Sequence, residues 1–288
     1  MEREPYFPEK SLKKYGKNPA CPGFPIVTPA DSCYNQGRRN SAKNRGGGRF
    51  PGNREDDRME IAGLQKLTLL DYPGKVACTV FLAGCNFRCP YCHNAELIDR
   101  ILPPLMDDEE LLAFLSRRKG LLDGVCVTGG EPTLRGQELK DLIGRIKALS
   151  FSVKLDTNGT RPDLLKELVL EKLVDYVAMD IKNSPDRYAE TAGIPAPALD
   201  AVRESVRFLL EGGVDYEFRT TVVRELFDDN SFLGIGPWIR GAKRYFLQTF
   251  EDRDTVPVSG LHAPAREDLE RWRRIMVPFC PDTQIRGL

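Results

Sequence analysis

From residue 60 onward, short apolar runs alternate with longer segments whose apolar residues recur every three or four positions. Short apolar runs bounded by turn residues indicate buried strands, and the longer periodic segments indicate amphipathic helices. The predicted strands cover residues 76–82, 124–128, 152–157, 176–181, 216–223 and 244–250. The predicted helices cover residues 107–118, 138–149, 161–173, 199–211, 232–241 and 266–276.

The order of these segments predicts the fold class. Strands that alternate with helices form βαβ units, in which the strands are parallel and the crossovers are right-handed. Six units are fewer than the roughly eight that close a full barrel, so we expect an open, curved α/β sheet. In such sheets the functional residues gather at the carboxyl ends of the strands, and the polar motifs of this chain follow the predicted strands there.

Residues 1–58 differ from the rest in composition. They contain seven prolines and seven glycines, and they carry 12 Lys/Arg against 7 Asp/Glu, a net charge of +5. With so few aliphatic side chains the segment cannot bury enough apolar area to offset the entropy lost on ordering. We therefore expect a disordered basic leader at residues 1–58, followed by one folded domain at residues 59–288. Met59 is a candidate for the native start.

Composition limits the partners and the compartment. The 288 residues are 41% hydrophobic and carry no net charge, which argues for neither nucleic acid nor a membrane as partner. No stretch is long and apolar enough to span a bilayer. Eight cysteines without a recognisable secretion signal indicate a reducing, cytoplasmic environment in which thiols bind metals or carry out redox chemistry.

Three of the cysteines lie within eight positions. Cys85, Cys89 and Cys92 are spaced C-x3-C-x2-C, and cysteine thiolates in such loops typically hold an iron–sulfur cluster. Since a [4Fe–4S] cluster normally takes four thiolates, three would leave one iron open to a small molecule. A zinc site is the alternative, with His93 or one of three single cysteines as the further ligand. The spacing is too tight for a secreted disulfide framework.

The cysteine loop, with Tyr91 before its last cysteine, resembles the radical S-adenosylmethionine (SAM) superfamily. More narrowly, the run from Gly63 to Asn94 is similar to the activating proteins of anaerobic ribonucleoside-triphosphate reductase, and the resemblance extends from Met59 to the C-terminus. It implies a partial (β/α)6 barrel, a [4Fe–4S] cluster held by the three cysteines, and reductive cleavage of SAM. It further implies a glycyl-radical enzyme as partner, with anaerobic ribonucleotide reductase expected, and a flavodoxin- or ferredoxin-type electron donor.

The same resemblance assigns roles to three motifs behind the predicted strands. The segment 128–133 contains Gly129, Gly130 and Glu131 and is similar to the segment that binds the SAM amino group. The segment 156–159, with Asp156 and Asn158, reads on its own as an ordinary Asn-Gly turn. By the resemblance, Lys182 would bind the SAM carboxylate. A monovalent cation site would be formed by Asp156, Thr157, Met179 and Asp180.

Three further residues are cofactor-binding candidates. Arg219 shares one face of its strand with other polar residues, and Gln248 in the last predicted strand could reach the adenosine. Tyr91 would shield the cluster and pack on adenine, whereas we expect His93 to cap the loop. Other functions stay open: a radical SAM enzyme acting on a small molecule or on a different glycyl-radical partner, and an iron–sulfur electron carrier.

Overall fold

The computed structural model describes residues 58–100, 103–193 and 199–287. The predicted leader lies outside these ranges except for Arg58. In chain order, the strands are β1 (Glu60–Ile61), β2 (Gly63–Thr68), β3 (Ala77–Leu82), β4 (Met106–Asp107), β5 (Gly124–Gly129), β6 (Ser152–Thr157), β7 (Tyr176–Asp180), β8 (Asp215–Val222), β9 (Tyr245–Thr249) and β10 (Thr283–Arg286). The α-helices are α1 (Asp108–Ser116), α2 (Gln137–Ala148), α3 (Pro162–Leu170), α4 (Tyr188–Ala192), α5 (Leu199–Glu211), α6 (Asp229–Trp238) and α7 (Arg266–Met276).

The main sheet has the strand order β10-β9-β8-β7-β6-β5-β3-β2. Its six inner strands are the six predicted ones, and every pair from β3 to β10 is parallel. The α/β class with a mostly parallel sheet is thus confirmed. The expectation of an entirely parallel sheet is wrong at one edge, because β2 pairs with β3 in the antiparallel direction.

The sequence pattern missed four strands for a physical reason. β1 and β4 form a separate antiparallel pair of two residues each, which is too short for any periodicity. β2 and β10 are edge strands whose residues are mostly exposed or half-buried, so they lack the apolar run of an inner strand. Their existence follows from pairing with a neighbour.

Local capping sets the helix boundaries. α1 begins after Asp107, whose carboxylate accepts a hydrogen bond from Glu110 N in a capping box. α6 begins three residues before its predicted start, because Asp228 forms a second capping box with Ser231. The helices pack their apolar faces against fully buried strand residues such as Val125 and Val177. None of the helices in the described ranges combines the length and the apolarity needed to cross a bilayer.

Candidate active site and cofactor-binding cavity

A cavity of about 260 Å³ lies where β5 to β9 end. Its lining contains all the residues predicted to bind the cluster or SAM, but it lacks Met179 of the predicted cation site. The predicted residues in the lining are Cys85, Cys89, Cys92, Tyr91, Gly129, Gly130, Glu131, Asp156, Thr157, Asn158, Asp180, Lys182, Arg219 and Gln248. These residues are far apart in the chain and meet because the carboxyl ends of parallel strands share one edge of the sheet. Of the other lining residues, Thr128 belongs to the segment 128–133 and Thr221 lies on the same strand face as Arg219, whereas the sequence did not single out Phe87 and Ile98.

The cysteine loop follows β3 directly and is held by backbone hydrogen bonds. Gly84 N donates to Leu97 O at 2.6 Å, and Cys85 N donates to Ile98 O at 3.1 Å. Burial raises the pKa of the Cys85 thiol to about 11 and that of Cys89 to about 12. Thiols with such pKa values are protonated at neutral pH, so binding of a metal centre must displace their protons.

The donor set fits an iron–sulfur cluster with one open iron. Cys85, Cys89 and Cys92 are the only thiols among the described residues that line the cavity. Within the described ranges, no three His, Cys, Asp or Glu side chains converge on a single metal ion. A cubane cluster does not need side chains that converge on one metal ion, because each cysteine ligates a different iron atom.

Glu131 joins three loops of the cavity wall. Its side chain is 2% exposed, and its Oε1 accepts from Thr133 N at 3.1 Å, Thr133 Oγ1 at 2.5 Å and Thr157 Oγ1 at 2.8 Å. Its Oε2 accepts from Asn158 N at 2.6 Å, and its own backbone N donates to Gly84 O at 2.7 Å. The carboxylate that the resemblance offers to the SAM amino group therefore already has four donors from the protein.

The glycines before Glu131 are required by close approach of the cysteine loop. A Cβ atom on Gly130 would collide with Gly84 O and lie 3.2 Å from Cys85 Cβ. Gly129 has a φ of 126°, which side-chain-bearing residues rarely adopt, and a Cβ there would collide with the Leu82 backbone.

The Asn-Gly turn after β6 also connects two loops of the cavity through the side chain of Asn158. Asn158 Nδ2 donates to Asn86 Oδ1 at 2.9 Å, which links the turn to the cysteine loop. Asn158 Oδ1 accepts from Thr160 N at 3.1 Å and Thr160 Oγ1 at 2.7 Å. The side chain thus holds two loops of the cavity in register.

A cluster of charged side chains forms another wall. Arg219 Nε donates to Asp180 Oδ1 at 2.9 Å, and Arg219 Nη1 donates to Asp156 Oδ2 at 3.1 Å. Lys182 Nζ donates to Asp180 Oδ2 at 3.0 Å, and Lys154, which the sequence reading missed, pairs with Asp156 Oδ1. Burial would raise the pKa of Asp180, but the charges of Arg219 and Lys182 outweigh it and hold that pKa at about 2.

The aromatic residues of the cysteine loop occupy distinct positions. Tyr91 is 4% exposed, and its hydroxyl is buried without a hydrogen-bond partner among the described residues. Leaving a buried hydroxyl unpaired costs on the order of 1–3 kcal/mol, and a ligand could satisfy it. The ring of His93 stacks on Phe250 with centroids 5.6 Å apart, and His93 Nε2 lies 2.7 Å from Glu251 O. His93 thereby ties the cysteine loop to the segment after β9.

Comparison with known proteins identifies the family. Residues 79–230 match the model of the radical SAM superfamily. The chain is 29% identical over 238 residues to the "Putative glycyl-radical enzyme activating enzyme MJ1227" of Methanocaldococcus jannaschii, covering 79% of this chain and 96% of that protein. It is 30% identical over 240 residues to the pyruvate formate-lyase-activating enzyme of Streptococcus mutans, covering 77% of this chain and 85% of that protein.

Among solved structures, the fold is similar to that of SuiB from Streptococcus suis. The TM-score is 0.58 at 14% sequence identity, with 73% of this chain covered, and the match spans 48% of the SuiB chain. This likeness concerns the fold alone. Because the family model matches more than half of its residues, the chain belongs to the radical SAM superfamily, whose members use a [4Fe–4S] cluster and S-adenosylmethionine.

Proposed function

We propose that this protein is an activating enzyme that cleaves SAM reductively and generates a glycyl radical on a partner enzyme, with anaerobic ribonucleoside-triphosphate reductase as the partner. The observation that carries this is one cavity that combines three thiols with carboxylates and cations. The chain that forms it spans most of the length of two relatives named as activating enzymes.

The three cysteines hold the cluster in this proposal. Cys85, Cys89 and Cys92 provide its protein ligands and leave one iron for the amino and carboxylate groups of SAM. When bound, the cluster and SAM supply the 5′-deoxyadenosyl radical. The protein contributes the thiolates, the orientation of SAM and the exclusion of water.

The charged wall orients the methionine part of SAM. Arg219 uses Nε and Nη1 for the two aspartates, and none of the described residues is bonded to its Nη2. Nη2 and the Lys182 ammonium are therefore the donors for the carboxylate of SAM. The backbone at Gly129 and Gly130 carries no side chain, so the amino group can approach its carbonyl oxygens closely.

Two other residues of the cavity lining suit the adenosine. Tyr91 presents a ring and an unsatisfied hydroxyl, and Gln248 projects into the same cavity from β9. Both side chains combine apolar contact with hydrogen bonding, as an adenine ring and a ribose require.

A partner protein must place a glycine in the cavity. The sheet is not closed among the described residues, since β2 and β10 are at its two ends and pair with one neighbour each. An open sheet can admit a peptide loop. The electron that the reaction needs would come from a flavodoxin- or ferredoxin-type donor, because the described part of the chain has only three thiols in the cavity and thus one cluster.

The first experiment tests the cluster and SAM cleavage. Cys89→Ala should lose iron, sulfide and 5′-deoxyadenosine formation together after anaerobic reconstitution, measured by metal analysis, electron paramagnetic resonance (EPR) and chromatography. Cys280→Ser is the matched control, because Cys280 is buried outside the cavity and serine can still donate to Ala242 O. A Cys89→Ala protein that keeps a SAM-cleaving cluster would contradict the assignment.

The second experiment tests the partner. The reduced enzyme with SAM is incubated with anaerobic ribonucleotide reductase or with pyruvate formate-lyase, and the glycyl radical is measured by EPR. A glycyl-radical signal on the reductase alone supports the proposed partner. A signal on pyruvate formate-lyase alone would make the lyase the partner and would overturn the assignment to the reductase. Turnover of SAM with a metabolite, and no radical on either protein, would favour the small-molecule alternative.

A further inference from the structure

Lys154 is a charged side chain in a position where lysine is rarely found. It lies in the middle of β6 and is 2% exposed, and its Nζ pairs with Asp156 Oδ1 and lies 3.8 Å from Cys126 Sγ. Lysine is almost never fully buried unless it is paired, because burial removes the hydration of the ammonium group. The alternation of a strand places Lys154 and Asp156 on one face, so Lys154 lies one layer below the cavity.

The resemblance predicts a monovalent cation at this position, where cations of the protein already pair with the carboxylates of Asp156 and Asp180. Asp156 Oδ1 is paired with Lys154 and its Oδ2 with Arg219 at 3.1 Å. Asp180 Oδ1 is bonded to Arg219 at 2.9 Å and its Oδ2 to Lys182 at 3.0 Å. Every oxygen of the two carboxylates thus has a protein cation as its partner.

The other two residues of the predicted cation site, Thr157 and Met179, also make contacts within the protein. Thr157 Oγ1 donates to Glu131 Oε1 at 2.8 Å and accepts from Gly159 N at 3.1 Å. The Met179 side chain packs against Gly159. The Met179 thioether offers no oxygen, and the Thr157 hydroxyl already makes two hydrogen bonds.

The charges also balance without a metal. Two aspartates and the cations Lys154, Lys182 and Arg219 sum to +1, which one carboxylate of SAM would neutralise. An additional sodium or potassium ion would raise the charge of this buried cluster to +2, which burial disfavours.

We propose that Lys154 is the built-in counter-cation of this site and takes the place of a monovalent metal ion, so that SAM binds without sodium or potassium. Lys154 is a positioning residue: by holding Asp156 Oδ1, it leaves Oδ2 to pair with Arg219, which lines the cavity. The role in SAM binding rests on the proposed function.

The test compares SAM affinity in buffers whose only added cation is choline, sodium or potassium, by calorimetry on the reconstituted enzyme under anaerobic conditions. The wild-type dissociation constant should agree within about twofold in all three buffers. Lys154→Met should weaken binding at least tenfold in choline, and sodium or potassium should recover part of the loss because the substitution vacates a cation-sized space beside Asp156. Lys140→Met is the control, since it removes the same charge from the surface of α2.

A second readout does not depend on SAM. Thallium(I), a spectroscopic substitute for potassium, should give no bound signal by ²⁰⁵Tl NMR with the wild-type protein and a bound signal with Lys154→Met. A bound thallium ion in the wild type, or a tenfold gain in wild-type SAM affinity on adding sodium or potassium, would overturn the proposal. If the wild-type enzyme binds no SAM at all, the proposed function fails, whereas the thallium result still decides the role of Lys154.

Discussion

The hydrogen bonds of Glu131 allow a quantitative prediction. Glu131→Gln keeps the size of the side chain but replaces one carboxylate oxygen with an amide NH₂ group. If the amide oxygen takes the place of Oε1, it can still accept from Thr133 and Thr157, but the NH₂ group then faces Asn158 N, which is also a donor. One charge-assisted hydrogen bond is lost, and a buried donor is left unpaired.

The magnitude follows from that loss. A hydrogen bond to a charged group contributes roughly 1.5–3 kcal/mol, so Glu131→Gln should lower the free energy of unfolding by about 2–3 kcal/mol. Glu131→Ala leaves all four donors without an acceptor and should lower it by roughly 5 kcal/mol or more, which approaches the whole stability of many domains. Because the lost bonds join the loop of Glu131 to the loop of Asn158, and both residues line the cavity, SAM binding should weaken in parallel with stability.

The assay is urea denaturation of the metal-free protein under anaerobic, reducing conditions, followed by circular dichroism. Glu138→Gln on α2 is the control, because Glu138 is largely exposed and should be within about 0.5 kcal/mol of wild type. Wild-type stability of Glu131→Gln combined with lost SAM binding would refute the reasoning, because it would mean that the carboxylate serves the ligand and not the loops. A double-mutant cycle of Glu131→Ala with Thr157→Val measures the coupling between the two side chains directly.

Three further predictions address other parts of the cavity. With a pKa of about 12, the Cys89 thiol is ionised to about one part in 10⁴ at pH 8. In the metal-free protein, iodoacetamide should therefore alkylate Cys89 about 10³ times more slowly than an ordinary thiol. Peptide mapping that finds an ordinary rate of alkylation would contradict this. Gly130→Ala should displace the cysteine loop and reduce the iron bound after reconstitution, whereas Gly144→Ala, where a Cβ meets open space, should not. The depressed pKa of Asp180 stabilises the fold above pH about 4, and on the order of 2 kcal/mol of the free energy of unfolding is lost as the pH falls through about 2. Urea denaturation across this window should show that decrease in the wild type and a smaller decrease in Asp180→Asn.

Some features of this protein are determined by the sequence alone. The six inner strands could be predicted because an inner strand of a parallel sheet is buried and mostly apolar, and that signal is local. The cavity residues could be predicted because each motif follows a predicted strand, and parallel topology brings all those strand ends to one edge. Arg219 and Gln248 were identified differently, because they lie within predicted strands: Arg219 shares one face of its strand with other polar residues, and Gln248 was expected to reach the adenosine.

Other features were decided only by the tertiary structure. The antiparallel edge strand β2 exists through its pairing with β3, since its own residues are too exposed to show a strand pattern. The sequence supplies Glu131 and Asn158 as residue types, but the register of β5 and β6 determines that one accepts from the other. Lys154 is the clearest case: a lysine between Val153 and Leu155 looks like an interruption of an apolar run, and only its pairing with Asp156 makes a buried charge favourable. Local patterns identify which segments are buried, whereas the pairing of individual polar atoms depends on residues that are distant in the chain and adjacent only in the fold.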